Sequence, residues 1–512
     1  MKKSSGLART AALMGIMIFL SKVMGLVRDG MIAGAFGTSI YAVAYETASK
    51  LPVTIFDFVL GGVVTSAFIP VYNSIVMRDG KDRAREFAQS YLNLILLITG
   101  VLSVFGVIFA PSLVSFIAPD LGAETASLAV VLTRIMFPMV IFVGLAFTFV
   151  GFLQSEGEYN LPAIISLVSN LIMVGYLAFC DRITSDPTTA VVGLGIAMLI
   201  GWAAQAAVQL PAVRKRGLRY RPSAPMLTPD TKRAAKNALP ILAATWTSPV
   251  CTLINTRLAS GIDGAISMLG YANRLYVIIV GLFSFVATNL LFPYFARADA
   301  AHDTAEKDRM TRTSVKILVF IIAPISVGVM VLAEPFVSLI YENGVFDASD
   351  TLFTANALRF YAVGMVFAAV TEVLTKAFFA AEQTKYPMIA SICSMVFNVL
   401  VIAVLGGWLS IGGIALITGL ASAVNMLVNL IFAYRTGMIS RVGSDAADIA
   451  KSVISAVVMG AAVRSVYSLL SSLPLLLAFA LSVIVGAVVY ALCVLLLRSE
   501  ELLGIVKKLG GS

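Results

Sequence analysis

SKVMGLVRDGMIAGAFGTSIYAVAYETASKLPVTIFD, residues Ser21–Asp57, lies between two apolar runs that are typical of membrane-spanning helices. Six charged side chains interrupt it: Lys22, Arg28, Asp29, Glu46, Lys50 and Asp57. A charge near the centre of a bilayer costs roughly 2.5–3.5 kcal/mol on the insertion scale, so such residues persist only where they face a bundle interior or a water-filled cavity. The stretch therefore predicts an internal polar site within a membrane protein.

The composition of the whole chain excludes a soluble globular protein. Of 512 residues, 59% are hydrophobic and 13% are charged, whereas soluble domains carry about 25% charged residues. Apolar runs of about 20 residues, each long enough to cross the hydrocarbon core of a bilayer, follow one another along the chain. We predict an all-α polytopic membrane protein, and we interpret the net charge of +9 as membrane-topology charge rather than as a nucleic-acid surface.

The apolar runs predict fourteen transmembrane helices. They lie at about 7–35, 39–77, 86–117, 123–153, 159–181, 189–213, 230–260, 264–298, 312–341, 350–382, 387–407, 411–436, 446–470 and 473–498. Lysine and arginine are concentrated in alternate connections, which the positive-inside rule places in the cytoplasm. The basic connections include 78–85, 214–236 and 297–316, whereas those at 118–124 and 342–350 are acidic. Both termini then fall on the cytoplasmic side.

An internal repeat with an offset of about 220 residues relates the two halves of the chain. VVTSAFIP at Val63–Pro70 matches VATNLLFP at Val286–Pro293, and the helices that contain Asn170 and Asn398, each preceded by a proline, correspond in the same way. Because each half would hold six spans, the halves should share one orientation and be related by an axis along the membrane normal.

The repeat predicts two parallel six-helix lobes followed by a C-terminal helix pair. The predicted domains are an N-terminal lobe at 1–221, a C-terminal lobe at 222–440, and two extra helices with a short cytoplasmic tail at 441–512. Repeat-equivalent spans would line the same central cleft, which is where we expect the intramembrane charges to lie.

Cations outnumber acids among the intramembrane charges. The candidate substrate-binding residues are Lys22, Arg28, Asp29, Glu46, Lys50, Asp57, Arg134, Arg257 and Arg274. Arginine binds planar anions through paired hydrogen bonds and stays charged when it is desolvated, so the surplus favours an anionic ligand. The alternative interpretation is a set of structural ion pairs. These would be Arg28 with Asp29 or Asp57, and Lys50 with Glu46 at i,i+4.

Motifs for catalysis, nucleotide binding and metal binding are missing from the sequence. It has no glycine-rich P-loop, no HExxH and no Cys/His pair, and its four cysteines lack CxxC spacing. We therefore predict no enzymatic activity, no cofactor and no metal site. Glu372 and Lys376, spaced at i,i+4, are interpreted as a structural ion pair.

Four short motifs carry a resemblance to a known family. They are SKVMGLVRDGMIAGAFG in the first span, SKLP and the AFIP-V-Y end in the second, and YANRL at Tyr271–Leu275. Together they resemble the MurJ/MviN family of lipid II flippases, which belongs to a superfamily with multidrug (MATE) exporters and polysaccharide flippases. The resemblance covers essentially the whole chain, including the extra C-terminal helix pair.

The resemblance implies a role for several of the charged residues. Arg28 and Arg274 match the essential cavity cations of the family, Asp29 lies beside the first, and Lys22 and Lys50 match basic positions. The chain also departs from the family. Phe56 and Asp57 stand where Gram-negative members place arginines, and Val43 replaces an early acid. Asn255 and Asn398 are the nearest polar residues to the acids that bind sodium in some members.

The function implied by the resemblance is export of lipid II, the undecaprenyl-diphosphate-linked peptidoglycan precursor. It would move from the inner to the outer leaflet of the bacterial cytoplasmic membrane by alternating access, with its diphosphate in the arginine and lysine cluster. Expected partners are this precursor, membrane lipids and the cell-wall synthesis machinery, but not nucleic acid. Alternatives are a flippase for another lipid-linked oligosaccharide, a MATE-like cation antiporter, whose cavity should be net acidic, and a scaffold, which would need no buried charge.

Overall fold

The structure is a computed structural model, and it describes residues 2–60, 67–286, 304–439 and 443–497. All regular secondary structure in these ranges is helical. The α-helices are α1 (Lys2–Phe36), α2 (Ile40–Val59), α3 (Phe68–Ile108), α4 (Ala110–Ile117), α5 (Ala123–Met136), α6 (Met139–Ser155), α7 (Asn160–Ile183), α8 (Pro187–Lys215), α9 (Pro229–Thr245), α10 (Thr247–Ala259), α11 (Ala265–Val286), α12 (Thr304–Val331), α13 (Ala333–Tyr341), α14 (Ala348–Ala380), α15 (Lys385–Leu405), α16 (Ile411–Arg435), α17 (Gly443–Leu469) and α18 (Leu475–Leu496). The predicted all-α class is confirmed.

The helices follow the order of the predicted spans. Within the described residues, nine of them are long and apolar enough to cross a membrane, or ten if the bent pair of α5 and α6 forms one span. These lengths and compositions show a multi-pass membrane protein, because a helix needs about 20 apolar residues to cross the hydrocarbon core. The count of fourteen stays a prediction.

In four of the predicted spans, one helix ends and the next begins after only one or two residues: α3 with α4, α5 with α6, α9 with α10, and α12 with α13. The second helix of each pair has a proline at its N-cap or in its first turn: Pro111, Pro138, Pro249 and Pro335. Proline fits a helix start, where its missing N–H costs nothing, but it disrupts a helix interior. At Pro138 the two helix axes differ by 42°.

The connection predicted at residues 78–85 is largely helical. α3 runs through it from Phe68 to Ile108 and is interrupted at Gly80, whose φ of 84° and ψ of 175° are not helical. A positive φ is available to glycine at little cost, so this residue can join two helical segments that differ in direction.

Contacts divide the chain into two units. Unit 1 is Met1–Ser267 with Asn343–Phe346, and unit 2 is Met268–Glu342 with Asp347–Ser512. The predicted lobe boundary at 221/222 rests on the repeat and stays a prediction. The match of Val63–Pro70 with Val286–Pro293 extends outside the described residues. The second pair of repeat positions is buried in both units, since Asn170 and Asn398 have relative exposures of 6% and 0%.

Unit 1 packs α1 on α7, α7 on α8, α3 on α6, and α2 on α5. An aromatic cluster joins α3 to α6: the Phe68 ring centroid lies 5.5 Å from those of Tyr72 and Phe87, and the Tyr72 ring lies 5.7 Å from that of Phe152. The Tyr72 hydroxyl also donates to Glu156 Oε1 at 2.7 Å. This cluster fixes the end of α3 that precedes Gly80.

Unit 2 is organised around α14, which packs on α12 and α16, while α17 packs on α12 and α18. α14 and α16 approach through their backbones: a Cβ placed on Gly364 would lie 2.8 Å from Gly419 Cα. Close approach through small residues is typical of membrane helices, which gain little from burying apolar side chains against each other.

Candidate functional site

Arg28 is held by side-chain hydrogen bonds to two helices. Its Nε and Nη2 donate to Asp29 Oδ1 at 3.0 and 2.8 Å, and its Nη1 donates to Asn170 Oδ1 of α7 at 2.8 Å. Asn170 in turn donates from Nδ2 to the carbonyl of Ser21 at 3.1 Å. The guanidinium of α1 is therefore oriented by its own helix and by α7.

The arrangement leaves part of the Arg28 guanidinium available. Arginine has five N–H donors, and three are used by the bonds to Asp29 and Asn170. One N–H remains on each terminal nitrogen. The Arg28 side chain is 24% exposed, whereas that of Asp29 is 4% exposed. A ligand can therefore reach the arginine while the carboxylate that orients it stays covered.

The second predicted pair also forms. Lys50 Nζ lies 3.6 Å from Glu46 Oε2 within α2, and the Glu46 side chain is almost fully buried while that of Lys50 is partly exposed. Together with Arg28–Asp29, this shows that two of the candidate cations pair with an acid of the same helix. Glu372 and Lys376 of α14 likewise pair, at 3.3 Å.

Three further predicted residues of unit 1 lie outside this pairing. Lys22 of α1 and Arg134 of α5 are exposed, and Asp57 near the end of α2 is half-buried. Within the described residues, none of the three forms an ion pair or a side-chain hydrogen bond. Lys22 and Arg134 are thus cations whose charge no neighbouring carboxylate offsets in the described part of the chain.

Arg257 makes no contact with Arg28 and instead binds the C-terminal end of α4. Its Nη1 donates to the carbonyl of Phe116 in the last turn of α4 at 2.6 Å, and its guanidinium carbon lies 5.8 Å from the Phe116 ring centroid. A cation at a helix C-terminus is favourable because the last carbonyls lack partners and the helix dipole is negative there. This contact ties α10 to α4 within unit 1.

Arg274 belongs to unit 2, in α11. Its guanidinium carbon lies 5.9 Å from the ring centroid of Tyr271. Tyr271 is fully buried, and its ring centroid lies 5.1 Å from that of Tyr341 of α13. The Tyr341 hydroxyl donates to the Tyr271 carbonyl at 3.3 Å. The YANRL motif thus places Arg274 beside a rigid aromatic pair.

Unit 2 also contains an apolar cavity of about 370 Å³ between α11, α12, α13, α17 and α18. Its lining includes Ile279, Val329, Phe336, Val483 and Tyr490. The Tyr490 hydroxyl donates to the Phe320 carbonyl at 2.7 Å, so its only polar group is satisfied and the ring contributes apolar surface. The C-terminal helix pair is therefore part of a cavity with apolar walls.

The sequence did not identify Asn170 as a site residue, although in the fold Asn170 is hydrogen-bonded to Arg28. The available signal was an amide in an apolar helix that begins with a proline-containing turn. A buried amide in a membrane helix requires hydrogen-bond partners, because lipid offers none. That argument predicts a partner for Asn170 but not which one, since the partner is far away in the chain.

Comparisons with known proteins find relatives along most of the chain. The family model of lipid II flippase MurJ matches residues 32–495. A relative from Rhizobium meliloti (strain 1021), described as a probable lipid II flippase MurJ, is 30% identical over 411 residues, which are 80% of this chain and 77% of the relative.

Two solved structures share the fold. A lipid II flippase MurJ in an inward closed conformation has a TM-score of 0.81 at 22% identity, with 95% of this chain and 99% of that chain covered. An inward-facing multidrug resistance MATE family transporter of the MOP superfamily has a TM-score of 0.66 at 13% identity, with 83% and 97% covered. At these identities the likeness concerns the fold alone.

Proposed function

This chain belongs to the MurJ family of lipid II flippases, and we propose that the diphosphate of its substrate binds to the arginines and lysines of the transmembrane helices. As a member of this family the chain is a transporter and not an enzyme. The substrate is the undecaprenyl-diphosphate-linked peptidoglycan precursor, which moves from the inner to the outer leaflet by alternating access.

The observation that carries the proposal is the orientation of Arg28 by Asp29 and Asn170. One N–H on each Nη atom is left by the hydrogen bonds that hold the guanidinium. These two donors can bind phosphate oxygens, and charge-assisted bonds of this kind are about twice as strong as neutral ones. A pre-oriented arginine also loses less conformational freedom when the ligand binds.

The charge for the second phosphate group has to come from other cations. Arg28 and Lys50 are already paired with carboxylates, so neither contributes a full net charge. Lys22 and Arg134 have no compensating acid within the described residues, and Arg274 is the site cation of unit 2. We propose Arg28 as the phosphate-binding residue of unit 1 and Arg274 as that of unit 2, with Lys22, Lys50 and Arg134 adding positive charge in unit 1.

The apolar cavity beside α17 and α18 is suited to the polyprenyl tail. Its lining is almost entirely aliphatic and aromatic, so a hydrocarbon tail can enter it from the lipid without meeting polar groups. The gain would come from packing contacts, because the tail does not leave water. The extra helix pair would then serve the tail, while the cations serve the head group.

The proposal includes the location and topology of the protein. Fourteen spans in two parallel six-helix lobes, with both termini in the cytoplasm, follow from the basic connections and the repeat. The precursor is made at the inner leaflet and consumed outside, so this orientation suits the bacterial cytoplasmic membrane. The cell-wall synthesis machinery would take up the exported precursor.

The test is complementation of a bacterium whose own lipid II flippase is depleted. We expect the wild-type chain to restore growth and export of the precursor, whereas Arg28→Ala and Arg274→Ala do not. Each lost charge-assisted hydrogen bond should weaken diphosphate binding about tenfold or more. Arg28→Lys should also be impaired, because a point charge cannot replace a planar fork.

Arg359→Ala is the matched control, because Arg359 is a half-exposed arginine of α14 paired with Glu334 at 3.4 Å and is not part of the proposed site. The membrane content of each variant is measured in parallel, so that loss of function can be separated from loss of protein. Growth and precursor export with both Arg28→Ala and Arg274→Ala would refute the diphosphate site.

A further inference from the structure

A cationic pocket lies in unit 1 at the C-terminal end of α8, and Arg28 is not among the residues that line it. It has a volume of about 440 Å³, and we call it the α8 pocket. Its polar lining is Arg214, Arg219 and Tyr220, and its apolar lining includes Leu92, Phe149 and Leu210. The pocket therefore combines two guanidinium groups and a phenol with an aliphatic and aromatic wall.

The chain segment that forms one side of the α8 pocket is held in place. Asn93 of α3 is 3% exposed, and its Nδ2 lies within hydrogen-bond distance of the carbonyls of Arg221, Pro222 and Ala224, at 2.9, 3.4 and 3.0 Å. At the other end, the Leu218 N–H donates to the Val213 carbonyl at 3.3 Å. Both ends of the 214–224 segment are thus fixed to the helices beneath it.

The two arginines of the pocket differ from the basic residues around them. Five nearby cations are each paired with a carboxylate: Arg78 with Asp79, Lys81 with Glu156, Arg83 with Glu86 and Asp230, Arg85 with Asp82, and Arg216 with Glu158. Arg214 and Arg219 are exposed. Neither makes an ion pair or a side-chain hydrogen bond with another described residue. Their charge is therefore not offset locally.

We propose that the α8 pocket binds the phosphate head group of an anionic phospholipid of the inner leaflet. Arginine suits phosphate because it offers paired donors, and basic pockets between helices on the cytoplasmic side are suited to anionic lipid head groups. The Tyr220 phenol adds a further donor. Leu92, Phe149 and Leu210 contact the glycerol and the first acyl carbons. This apolar wall favours a lipid over free phosphate, which would gain nothing from it.

The inference concerns a resident lipid rather than the transported precursor, and it rests on unit 1 alone. It requires that the C-terminal end of α8 faces the inner leaflet, as the basic connection at 214–236 indicates. A lipid held there would join α3, α6 and α8, the three helices whose residues line the pocket.

The experiment uses the full-length chain in a neutral detergent, without precursor. Phosphatidylglycerol, phosphatidylcholine and inorganic phosphate are titrated separately, and bound lipid is counted by native mass spectrometry. The test variant is Arg214→Gln with Arg219→Gln. The control is Lys215→Gln with Arg221→Gln, which removes the same charge from exposed residues of the same segment that do not line the pocket.

We expect one phosphatidylglycerol to bind more tightly than phosphatidylcholine, and its affinity to fall about tenfold or more in the test variant. The affinity of the control variant for phosphatidylglycerol should stay within about twofold of that of the wild-type chain. Thermal unfolding without lipid shows whether each variant is folded, and Arg214→Lys with Arg219→Lys should recover part of the affinity.

Equal losses of phosphatidylglycerol affinity in both double variants would show that the overall positive charge of the segment, and not the pocket, attracts the lipid. Equal binding of phosphatidylcholine and phosphatidylglycerol would exclude a site that selects the anionic head group. Displacement of phosphatidylglycerol by an equal concentration of inorganic phosphate would assign the pocket to a free anion. Each of these results would overturn the proposal.

Discussion

Arg28 and Asn170 are joined by a hydrogen bond of 2.8 Å across 142 residues of chain. The bond connects a cation of α1 to an amide of α7, and the same amide donates to the Ser21 carbonyl, which lies about two turns earlier on α1. Asn170 therefore hydrogen-bonds both to the backbone of α1 and to the Arg28 guanidinium on the same helix. It is a positioning residue for the proposed site rather than a ligand-binding one.

Replacement of Asn170 should reduce transport without preventing folding. Asn170→Ala removes a hydrogen bond from a charged donor, which is worth about 1.5–3 kcal/mol, and we expect precursor export to fall about tenfold. Asn170→Asp keeps the acceptor and should retain more activity than Asn170→Ala. Export is measured in the depleted host, at matched protein levels in the membrane.

The control for this prediction is Ser166→Ala. It removes another contact between α1 and α7, the 2.5 Å hydrogen bond between the Ser21 and Ser166 hydroxyls, but leaves Arg28 untouched. If Ser166→Ala impairs export as much as Asn170→Ala does, the packing of α1 on α7 and not the orientation of Arg28 is what matters.

Filling the apolar cavity of unit 2 should weaken binding of long-chain substrates only. Gly328 of α12 lines this cavity, and the nearest atom to a Cβ placed there is Met459 Cε at 4.0 Å. Gly328→Leu should therefore fold and occupy space proposed for the polyprenyl tail. We expect lower affinity for the natural precursor and unchanged affinity for an analogue with a short, soluble tail.

Gly100→Leu is the matched control for Gly328→Leu, because it makes the same change in a helix where no neighbour lies within 4 Å of the added Cβ. Equal weakening of short-tailed and long-tailed ligands by Gly328→Leu would show that the cavity does not bind the tail.

Gly344 should be far less tolerant of substitution than other glycines with positive φ. Its φ is 57°, and a Cβ there would overlap the carbonyl oxygen of Gly34 of α1, while the neighbouring Val345 N–H donates to that same oxygen at 2.9 Å. Gly344→Ala thus adds a clash with backbone to the cost of a left-handed conformation, which is roughly 1–2 kcal/mol.

Gly437→Ala measures the cost of the left-handed conformation without the clash with backbone. Gly437 has a φ of 71° and no atom within 4 Å of an added Cβ, so only the conformational cost applies. We expect the midpoint of thermal unfolding of the purified protein to fall further for Gly344→Ala than for Gly437→Ala. Equal midpoints would mean that the segment at Asn343–Phe346 moves away from α1 at little cost.

The topology prediction is tested with cysteines at Ser223 and Ser349, which are both exposed. Ser223 lies in a basic connection and Ser349 at the start of α14, beside an acidic one, so we expect labelling from opposite sides of the membrane. An impermeant thiol reagent added to intact cells should label Ser349→Cys only, with the parent chain giving the background. Labelling of Ser223→Cys in intact cells would show that the connection at Ser223 lies outside the cell, opposite to the prediction.

Local charge pairing could be predicted from the sequence because its geometry is set within one helix. Asp29 follows Arg28 directly, and Glu46 lies one turn from Lys50, so the sequence alone indicates both pairs, and both form. The order of the helices was also predictable, since apolar runs of membrane length have few other interpretations.

Contacts between distant segments could not be predicted in the same way. Arg257 donates to a main-chain carbonyl at Phe116, and every residue has a carbonyl, so no sequence pattern marks that partner. The helical path through residues 78–85 was missed because charged residues suit both a loop and an exposed helix. The glycine at position 80 is the one local sign in this stretch of a change in chain direction, and the helix is interrupted there.

The adjacency of Arg28 and Asp29 has a consequence for biosynthesis. The chain is made from its N-terminus at about 5–20 residues per second, so Asn170 is added about 7–28 seconds after Arg28. During that interval Asn170 does not yet exist, and the Arg28 guanidinium must enter the translocon and the bilayer without it. Because Asp29 and Glu46 lie on the same helices as the cations they compensate, α1 and α2 each bring a counter-ion to the insertion step, where an isolated charge costs roughly 2.5–3.5 kcal/mol. Neutralising Asp29 should therefore reduce the yield of inserted protein before any effect on transport can be measured.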